Sequence, residues 1–497
     1  MTLEPSLEEA KKIAGTGQYR IIPLGAAMYS DEITPITLLK KLKKQSSHCF
    51  ILESAEDAKK WGRYTFLGFD PQLEITCERG LTTIKAGGET TTASENPNLA
   101  IQRILDEHKS AKFAQFPPFT GGLVGYFAYD YAKYVEPSLN LGGGGRSPLE
   151  GEDFKDVDLM LFDKVIAFDN FLQKLIIIVN MRAEDIENSY KNAAEEIARI
   201  ADIIRNGEPA TIAPPEIKSE FRQLFDKNGY MAMVEKAKHY IREGDIFQVV
   251  LSNRFAADFA GSIFDTYRVL RTINPSPYMF YFSGSAEIAG ASPETLVKLQ
   301  DGRLHTFPLA GTRPRGETDE ADLSYEKSLL ADAKELAEHN MLVDLGRNDL
   351  GKISKFGTVS VDEYLKILRF SHVMHIGSTV SGKLLPGKTG LDAINAVLPA
   401  GTLSGAPKIR AMQIIDELEQ CKRGIYGGAI GYLDFTGNMD TCIAIRIAYR
   451  KGNQVYVRSG AGIVADSVHA SEYEECVNKS KAVMAALEDS HSLQLRC

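Results

Sequence analysis

The chain has 497 residues, of which 44% are hydrophobic and 25% charged, which is typical of a globular protein with two or more domains or one large intertwined domain. Its formal net charge of −9 argues against general nucleic-acid binding, and no apolar run is long enough to cross a bilayer. The six cysteines show no paired spacing and the first residues form no apolar signal core, so we expect reduced thiols in a cytoplasmic protein.

Short apolar runs separated by turn residues predict strands in the first two hundred residues. Cys49–Leu52 and Val165–Val179 are strand candidates, and the four glycines within Leu141–Pro148 predict a surface loop. Three prolines between Gly207 and Pro215 favour a linker. We therefore divide the chain into an N-terminal domain, residues 1–215, and a second domain, residues 221–490.

Hairpin signals dominate the second part of the chain. A helix is predicted over Tyr230–Glu243, and Asp301 followed by glycine is typical of a tight turn, here within Leu296–Thr306. A second hairpin is predicted between Met439–Tyr449 and Gln454–Gly460. Because strands arrive as hairpins and not as strand–helix–strand units, the sequence predicts antiparallel sheets flanked by helices, an α+β fold.

Two pairs of glutamates, Glu335/Glu338 and Glu472/Glu475, are spaced i,i+3 in stretches with helical periodicity. Each pair therefore projects from one face of a helix. An isolated pair of this kind is far more often a solvated surface. Four carboxylates brought to one place, however, need a cation, and oxygen ligands suit a hard ion such as Mg²⁺.

The segment Met439–Tyr449 also contains a candidate anion-binding residue. As a strand, it places Arg446 on a face of small residues, where a guanidinium would meet a carboxylate in a cavity; a position at a sheet edge is equally compatible. Farther on, Gly460 and Gly462 either let backbone amides approach an anion or mark a turn. Lys479 shares a helix face with Glu475. Together these residues indicate a small polyanionic substrate.

Two other patterns do not support the sites that they resemble. Gly401–Lys408 is similar to a phosphate loop, but its spacing is short and Pro407 lacks an amide donor. His372 and His375 are spaced like zinc ligands, yet no third ligand accompanies them, which favours a structural or acid–base role.

Several longer strings occur in order along residues 221–487: Gly244–Ser252, Asn274–Phe280, Gly290–Glu294, Leu309–Gly316, Glu338–Asp349, Val373–His375, Gly401–Lys408, Tyr426–Tyr432 and Ser459–Gly462. In these strings the chain resembles the chorismate-utilising enzymes, and in particular the component I subunits of anthranilate synthases. The N-terminal part matches mainly through Ile51–Ser54. The resemblance implies two large antiparallel β-sheets packed as a sandwich with helices on the outside, in agreement with the hairpin pattern.

The resemblance implies a lyase that converts chorismate and ammonia to anthranilate and pyruvate through 2-amino-2-deoxyisochorismate, the first committed step of L-tryptophan biosynthesis. Mg²⁺ would be bound directly by Glu338 and Glu475, and through water by Glu335 and Glu472, next to the ring carboxylate of chorismate. The residues implied to bind chorismate are Gly311, Thr312, Tyr426, Arg446, Gly460, Ala461, Gly462 and Lys479.

Three residues are implied to act in catalysis. Glu294 would be the general acid that protonates the departing C4 hydroxyl while ammonia attacks C2. Such an acid must be protonated near neutral pH, so burial or acidic neighbours should raise its pKa. His375 would assist loss of the C2 proton and of pyruvate, and Thr402 would form a hydrogen bond close by.

The same resemblance leaves one alternative function open. Relatives that use water have a lysine where this chain has Gln248, and some enzymes of the para-aminobenzoate pathway have a nucleophilic lysine where it has Ala310. Both differences favour amination at C2 without a covalent intermediate. They do not exclude an aminodeoxychorismate synthase component I, which is the alternative.

The resemblance also implies an inhibitor and a partner. Ser54, Pro277, Tyr278 and Met279 resemble a pocket for L-tryptophan as a feedback inhibitor, which would make residues 1–215 a regulatory domain and residues 221–490 the catalytic domain. No cysteine occurs in the Gly-x-Cys-x-Gly context of a glutaminase. A separate glutamine amidotransferase subunit should therefore supply the ammonia in a heteromer.

Overall fold

The computed structural model describes residues 1–55, 61–139, 154–369 and 373–492. The predicted loop Leu141–Pro148 and His372 lie outside these residues. The described strands form two large antiparallel sheets, and helices cover their outer faces, so the predicted α+β sandwich is confirmed. Within the described residues, no helix is both long and apolar enough to cross a membrane.

The larger sheet runs from one edge of the molecule to the other. In spatial order its strands are Leu3–Glu4, Ile21–Tyr29, Lys174–Arg182, Lys164–Asp169, Tyr64–Phe69, Cys49–Glu53, Tyr278–Ser283, Glu287–Ser292, Ile447–Lys451, Gln454–Ile463, Gln248–Ala260 and Glu216–Ile217. Two short strands, Arg222–Gln223 and Gly405–Ala406, also pair with Gln248–Ala260.

The smaller sheet packs against one face of the larger sheet. In spatial order its strands are Leu309–Pro314, Val373–Lys383, Arg303–Thr306, Thr295–Gln300, Met439–Ile443, Ala429–Asp434, Gly122–Phe127, Val157–Phe162, Leu73–Glu78, Leu81–Ala86 and Glu89–Ala93. Ser360–Arg369 pairs with Val373–Lys383 outside this order.

The α-helices are Leu7–Ala14, Pro35–Gln45, Pro97–Asp106, Ile186–Asn206, Lys227–Arg242, Phe264–Ile273, Asp319–Leu330, Ala333–Gly351, Gly390–Val397, Lys408–Glu419 and His469–Ser492. Short 3₁₀ turns occur at Trp61–Arg63, Tyr129–Tyr134 and Gly401–Leu403. The helix predicted over Tyr230–Glu243 is therefore present with slightly different ends.

Both sheets contain strands from either side of residue 215. Cys49–Glu53 pairs with Tyr278–Ser283 in the larger sheet, and Gly122–Phe127 pairs with Ala429–Asp434 in the smaller one. The division into residues 1–215 and 221–490 is thus not a division into separate sheets, and it stays a prediction about their roles.

Aromatic side chains fill the space between the two sheets. Phe50 of the larger sheet meets Phe162 of the smaller one edge-on, with ring centroids 4.8 Å apart, and Phe66 and Tyr432 contact each other across the same layer. Such rings bury large apolar areas and fix the spacing of the sheets. The outer faces pack on separate clusters formed with the helices.

Both predicted hairpins are present, one at Asp301–Gly302 and the other between Ile447–Lys451 and Gln454–Ile463, but two segments predicted as single strands are each divided. Asp301 and Gly302 both have positive φ, 54° and 75°, as the two-residue turn requires. Val165–Val179 is divided into two strands by a turn at residues 170–173. Met439–Tyr449 is also not one strand, because its first half belongs to the smaller sheet and its second half to the larger.

Candidate active site

The chain crosses between the two sheets twice at one place. One crossing is at Pro293–Glu294 and the other at residues 444–446. The Ile443 amide donates to the Glu294 carbonyl (3.0 Å), and the Ala291 amide donates to the Arg446 carbonyl (3.2 Å). These bonds join the two crossings, so Glu294 and Arg446 are held close together between the sheets.

A cavity of about 580 Å³ opens at this crossing. Of the residues predicted to act in catalysis or to bind chorismate or metal, all but one line it: Glu294, Gly311, Thr312, Glu335, Glu338, His375, Thr402, Tyr426, Arg446, Gly460, Gly462, Glu472, Glu475 and Lys479. Ala461 does not, because its side chain is on the opposite face of the strand and is buried beneath the helix Lys227–Arg242. The fold thus brings together residues that are far apart in sequence.

Glu294 has the most perturbed carboxyl group in this cavity. Burial raises its pKa to about 7, while a hydrogen bond from the Thr402 hydroxyl to Glu294 Oε1 (3.1 Å) and the charges of Lys479 and Arg446 act in the opposite direction. Since desolvation disfavours the charged form, the carboxyl group is protonated in a large fraction of molecules at neutral pH. It can act there as an acid.

His375 faces the same cavity as a neutral imidazole. Its Nδ1 is 2.8 Å from the Gly311 carbonyl oxygen, which can only accept, so Nδ1 carries the proton in this bond. The Thr312 hydroxyl lies 3.1 Å from the same nitrogen. Burial lowers the pKa of His375, and Arg446 lowers it further. The remaining nitrogen, Nε2, therefore carries the lone pair and can act as a base.

Arg446 is positioned to bind an anion in this cavity. Its φ of 52° is in the left-handed region, and its guanidinium is largely buried, 3.5 Å from the Asn274 side-chain oxygen. Among the residues that the structure describes, no carboxylate forms an ion pair with it. Because a buried guanidinium without a counter-charge is unfavourable, a carboxylate group of a ligand fits this position.

Both predicted glutamate pairs lie on helices. Glu335 and Glu338 belong to Ala333–Gly351, which begins where the Asp332 side chain accepts hydrogen bonds from the first-turn amides. Glu472 and Glu475 lie near the start of His469–Ser492. Burial, and then the neighbouring Glu335, raise the pKa of Glu338; burial and, more weakly, Glu475 raise that of Glu472. Negative charge is therefore in excess in this part of the cavity.

This donor set fits a hard divalent cation in its chemistry, since all four groups are carboxylates. Across residues 1–55, 61–139, 154–369 and 373–492, however, no three His, Cys, Asp or Glu side chains are already arranged to hold a metal ion. Lys479 Nζ instead lies 2.7 Å from Glu475 Oε1 and offsets part of the charge. The excess carboxylate charge is what a bound cation would neutralise.

The strand that carries the glycines has an open edge at the cavity. Its pairing with Ile447–Lys451 ends at Val457, whereas its pairing with Gln248–Ala260 continues to Ile463. A methyl group at Gly462 would come within 2.7 Å of Nε2 in the Gln248 side chain. Glycine therefore keeps the backbone at this edge accessible to an anion.

The four predicted tryptophan-site residues line a different cavity. Ser54, Pro277, Tyr278 and Met279 all border a space of about 620 Å³, together with aromatic and proline side chains of residues 113–118. Pro277 also lines a third cavity, which contains His375 and Arg446. The segment that contains Pro277 thus lies between the cavity at Ser54 and the candidate active site.

Sequence reasoning missed two charged features of the active-site cavity. Lys334 lines it and lowers the pKa values of Glu338 and Glu472 by its charge. Arg458 lies in its wall and pairs with the buried Glu419. The position of Lys334 next to Glu335 could have indicated that it lines the cavity. The pairing of Arg458 with Glu419 could not be predicted, because no local sequence pattern links the two residues.

Comparison with known proteins gives a consistent result. The model of the chorismate binding enzyme family matches residues 47–485. The anthranilate synthase component 1 of Acetivibrio thermocellus is 45% identical and that of Aquifex aeolicus is 42% identical; each alignment covers 99% of this chain and 99% or more of the relative.

Solved structures agree with the sequence relatives. The crystal structure of anthranilate synthase component I from Streptococcus pneumoniae superposes with a TM-score of 0.75 at 36% identity, covering 92% of this chain and 98% of that one. The menaquinone-specific isochorismate synthase of Escherichia coli has a TM-score of 0.69 at 20% identity over 97% and 98% of the two chains, a likeness of fold alone.

Proposed function

Because the chain belongs to the family of chorismate-binding enzymes, with anthranilate synthase component 1 proteins as full-length relatives, we propose that it converts chorismate and ammonia to anthranilate, pyruvate and water. The observation that carries this proposal is the pairing of a protonated acid with a base in one anion-binding cavity. Glu294 supplies the acid and His375 the base, and Arg446 lines the same cavity with a positive charge that acts on both.

In the first step, ammonia attacks C2 of chorismate and the C4 hydroxyl leaves. Glu294 donates its proton to the departing oxygen, so that water leaves instead of hydroxide. The hydrogen bond from Thr402 orients the carboxyl group before the transfer and stabilises the carboxylate afterwards. The ammonium group formed at C2 loses a proton to solvent, and 2-amino-2-deoxyisochorismate results.

In the second step, Nε2 of His375 accepts the proton from C2. The bond to the Gly311 carbonyl holds the imidazole in the tautomer that has its lone pair at Nε2. The electrons of the C2–H bond enter the ring as the C3–O bond breaks, and the enolpyruvyl group leaves as pyruvate after protonation of its methylene carbon. The product is aromatic, which favours the elimination.

The two carboxylates of the substrate determine its orientation. Arg446, Tyr426 and the Gly311–Thr312 backbone would bind the enolpyruvyl side, while Lys479 and the backbone at Gly460–Gly462 would face the ring carboxylate. Bound Mg²⁺ would supply positive charge beside that ring carboxylate, held by Glu338 and Glu475 directly and by Glu335 and Glu472 through water.

The product formed from ammonium salts tests this function. The isolated chain should form fluorescent anthranilate from chorismate, Mg²⁺ and ammonium chloride, faster at alkaline pH where free ammonia is more abundant, and should not use glutamine. Chromatography of the products separates the alternatives, because 4-amino-4-deoxychorismate would identify an aminodeoxychorismate synthase. Glutamine hydrolysis by this chain alone would contradict our conclusion that it has no glutaminase site.

The sequence contains no cysteine in the Gly-x-Cys-x-Gly context of a glutaminase, and from this we propose the partner. A glutamine amidotransferase subunit, corresponding to component II of anthranilate synthases, would hydrolyse glutamine and deliver ammonia. The relatives are named component 1 of anthranilate synthase, which is consistent with such a second subunit.

The cavity at Ser54 would bind L-tryptophan as a feedback inhibitor. Its volume suits an aromatic amino acid, and its aromatic and proline lining suits the indole. Because Pro277 lines this cavity and the one with His375 and Arg446, an arrangement of its segment that favours tryptophan can disfavour chorismate. This coupling would make residues 1–215 regulatory.

Replacing Ser54 with phenylalanine should relieve inhibition by L-tryptophan and leave turnover without the inhibitor nearly intact, because the bulky ring fills the second cavity and not the active site. Inhibition curves of the wild type and variant give the result. Thr90→Phe, on an exposed strand, is the matched control and should stay inhibited. Unchanged inhibition of Ser54→Phe, or a wild type that tryptophan never inhibits, would remove the regulatory proposal.

A further inference from the structure

A buried ion cluster lies directly beneath the candidate active site. Glu419, at the end of the helix Lys408–Glu419, is fully buried and pairs with both Arg423 and Arg458, at 2.6 and 2.8 Å. The Ser252 amide and hydroxyl also donate to this carboxylate. The cluster therefore holds two positive charges against one negative charge, with all three side chains almost completely removed from water.

Arg423 uses its remaining N–H groups to bind two walls of the active-site cavity. Nη1 donates to the Leu403 carbonyl and Nη2 donates to the Val250 carbonyl, each at 2.6 Å. Leu403 and Val250 both line the cavity, on segments that are far apart in the chain. Its guanidinium also lies over the ring of Tyr129, with the centroid 4.6 Å away. The planar fork of arginine fits several acceptors at once, as a lysine cannot.

The residue that Arg423 binds, Leu403, directly follows Thr402, which donates a hydrogen bond to the proposed general acid Glu294. Thr402 and Leu403 belong to the same 3₁₀ turn, Gly401–Leu403, and the Thr402 hydroxyl donates to Glu294. A three-residue turn has little stability of its own. The position of the Thr402 hydroxyl therefore depends on what holds the turn, and Arg423 binds it from below.

We propose that Arg423 is a positioning residue of the reaction: by binding the Leu403 carbonyl it fixes the Gly401–Leu403 turn, and so holds the Thr402 hydroxyl on the carboxyl group of Glu294. Val250 and Glu419 anchor the guanidinium in the orientation that this requires. The role rests on the proposed function of Glu294 as general acid. It differs from a purely structural role because it acts on one identified hydrogen bond.

Arg423→Lys tests this role because it keeps the charge beside Glu419 but cannot reach both carbonyls. We expect kcat to fall by about tenfold, since a misplacement of ~1 Å can cost up to ~100-fold. Loss of the Thr402 bond should also raise the pKa of Glu294, because that bond favours the carboxylate. The alkaline limb of kcat, measured at constant free ammonia, should move upward by about half a pH unit.

Thr402→Val removes the same hydrogen bond directly and should reproduce both effects. In the double variant, Arg423→Lys should add little to Thr402→Val, because both act through one bond. Lys479 and Arg446, the other charged groups that act on Glu294, are unchanged in all of these proteins. Arg410→Lys is the matched control: it is also an arginine that pairs with a carboxylate, but its partner is Asp245 and it does not line the cavity, so the pKa of Glu294 should not move.

Infrared titration of the Glu294 carboxyl band, assigned with Glu294→Gln, measures this pKa in the free proteins without any turnover. A loss of activity in Arg423→Lys with an unmoved Glu294 pKa, or losses that add fully in the double variant, would overturn the proposal. A wild type without turnover on chorismate would instead contradict the proposed function, and the infrared comparison would still decide whether Arg423 controls the Thr402–Glu294 bond.

Discussion

Replacing Glu294 with glutamine should lower kcat for anthranilate formation by about 10²–10⁴-fold, the usual contribution of a positioned general acid. Glutamine has nearly the same shape and can still accept the hydrogen bond from Thr402, but its amide protons are not acidic enough to transfer to the departing hydroxyl. Steady-state fluorescence of the product measures the loss. Because the substrate contacts remain, chorismate binding should change much less than kcat.

The pH profile gives the same prediction an independent readout. Glu294 must be protonated to act, and its pKa is about 7, so at constant free ammonia the wild-type rate should fall as the pH rises through that region. The residual activity of Glu294→Gln should lack this limb. His375 has a lowered pKa and must be neutral, so the acid limb should lie below the usual range of histidine.

Glu220→Gln, on the surface, is the control for the removal of one carboxylate and should keep full activity. A variant of Glu294 that keeps more than about a tenth of wild-type kcat would assign proton donation to another group, since a general acid contributes at least ~100-fold. Circular dichroism would show whether a low rate comes from loss of fold instead.

Local patterns predicted the parts of the fold that local chemistry determines. The Asp301–Gly302 turn follows from two residues that tolerate positive φ, and the glutamate pairs were placed on helices because i,i+3 spacing and apolar periodicity agree there. The hairpin-rich texture similarly predicted antiparallel sheets. None of these predictions required knowledge of distant contacts.

The crossing between the sheets was not predicted, although it builds the active site. Met439–Tyr449 alternates as one strand would, and nothing in that alternation marks the change of sheet at residues 444–446. Arg446 reaches the cavity because its φ of 52° turns the chain there, and not because it lies on one face of a continuous strand. Arg446 does line the cavity, but the continuous strand from which we inferred this position is absent, and its role in binding a ligand stays a prediction.

The buried cluster shows a second limit of sequence reasoning. Glu419 and Arg423 are spaced i,i+4, which on a helix surface is usually a weak, solvated ion pair. Here both side chains are almost fully buried, because Gln248–Ala260 and the Gly401–Leu403 turn pack over them. Burial of this kind is set by tertiary packing, so the spacing alone carries no information about it.

Removal of divalent metal should abolish turnover, and this is the other large effect that we expect. Four carboxylates line the cavity, where burial and, more weakly, the neighbouring carboxylates raise the pKa values of Glu338 and Glu472, and where Glu475 is paired with Lys479. Chorismate adds two more carboxylates to this place. Excess EDTA should therefore eliminate anthranilate formation, and added Mg²⁺ should restore it.

Glu475→Gln tests whether the metal and the substrate bind at the same place. Loss of one direct ligand should weaken Mg²⁺ and chorismate binding together, because the ion and the ring carboxylate stabilise each other. Titration with Mn²⁺, followed by electron paramagnetic resonance, measures the metal without turnover. Glu488→Gln, exposed on the same helix, should bind the ion as the wild type does.

Lys479 and a bound cation would compete for Glu475, and this competition gives a test that is specific to this metal site. Lys479 is paired with Glu475, and a cation bound by Glu475 would free its ammonium group to pair with the ring carboxylate of chorismate. Metal and lysine should therefore cooperate in chorismate binding. Lys479→Met should accordingly strengthen metal binding in the absence of chorismate, since it removes the competing charge, and should weaken chorismate binding in the presence of Mg²⁺. Full activity in excess EDTA, or Mn²⁺ binding that neither Glu475→Gln nor Lys479→Met alters, would place the ion elsewhere or remove it from the reaction.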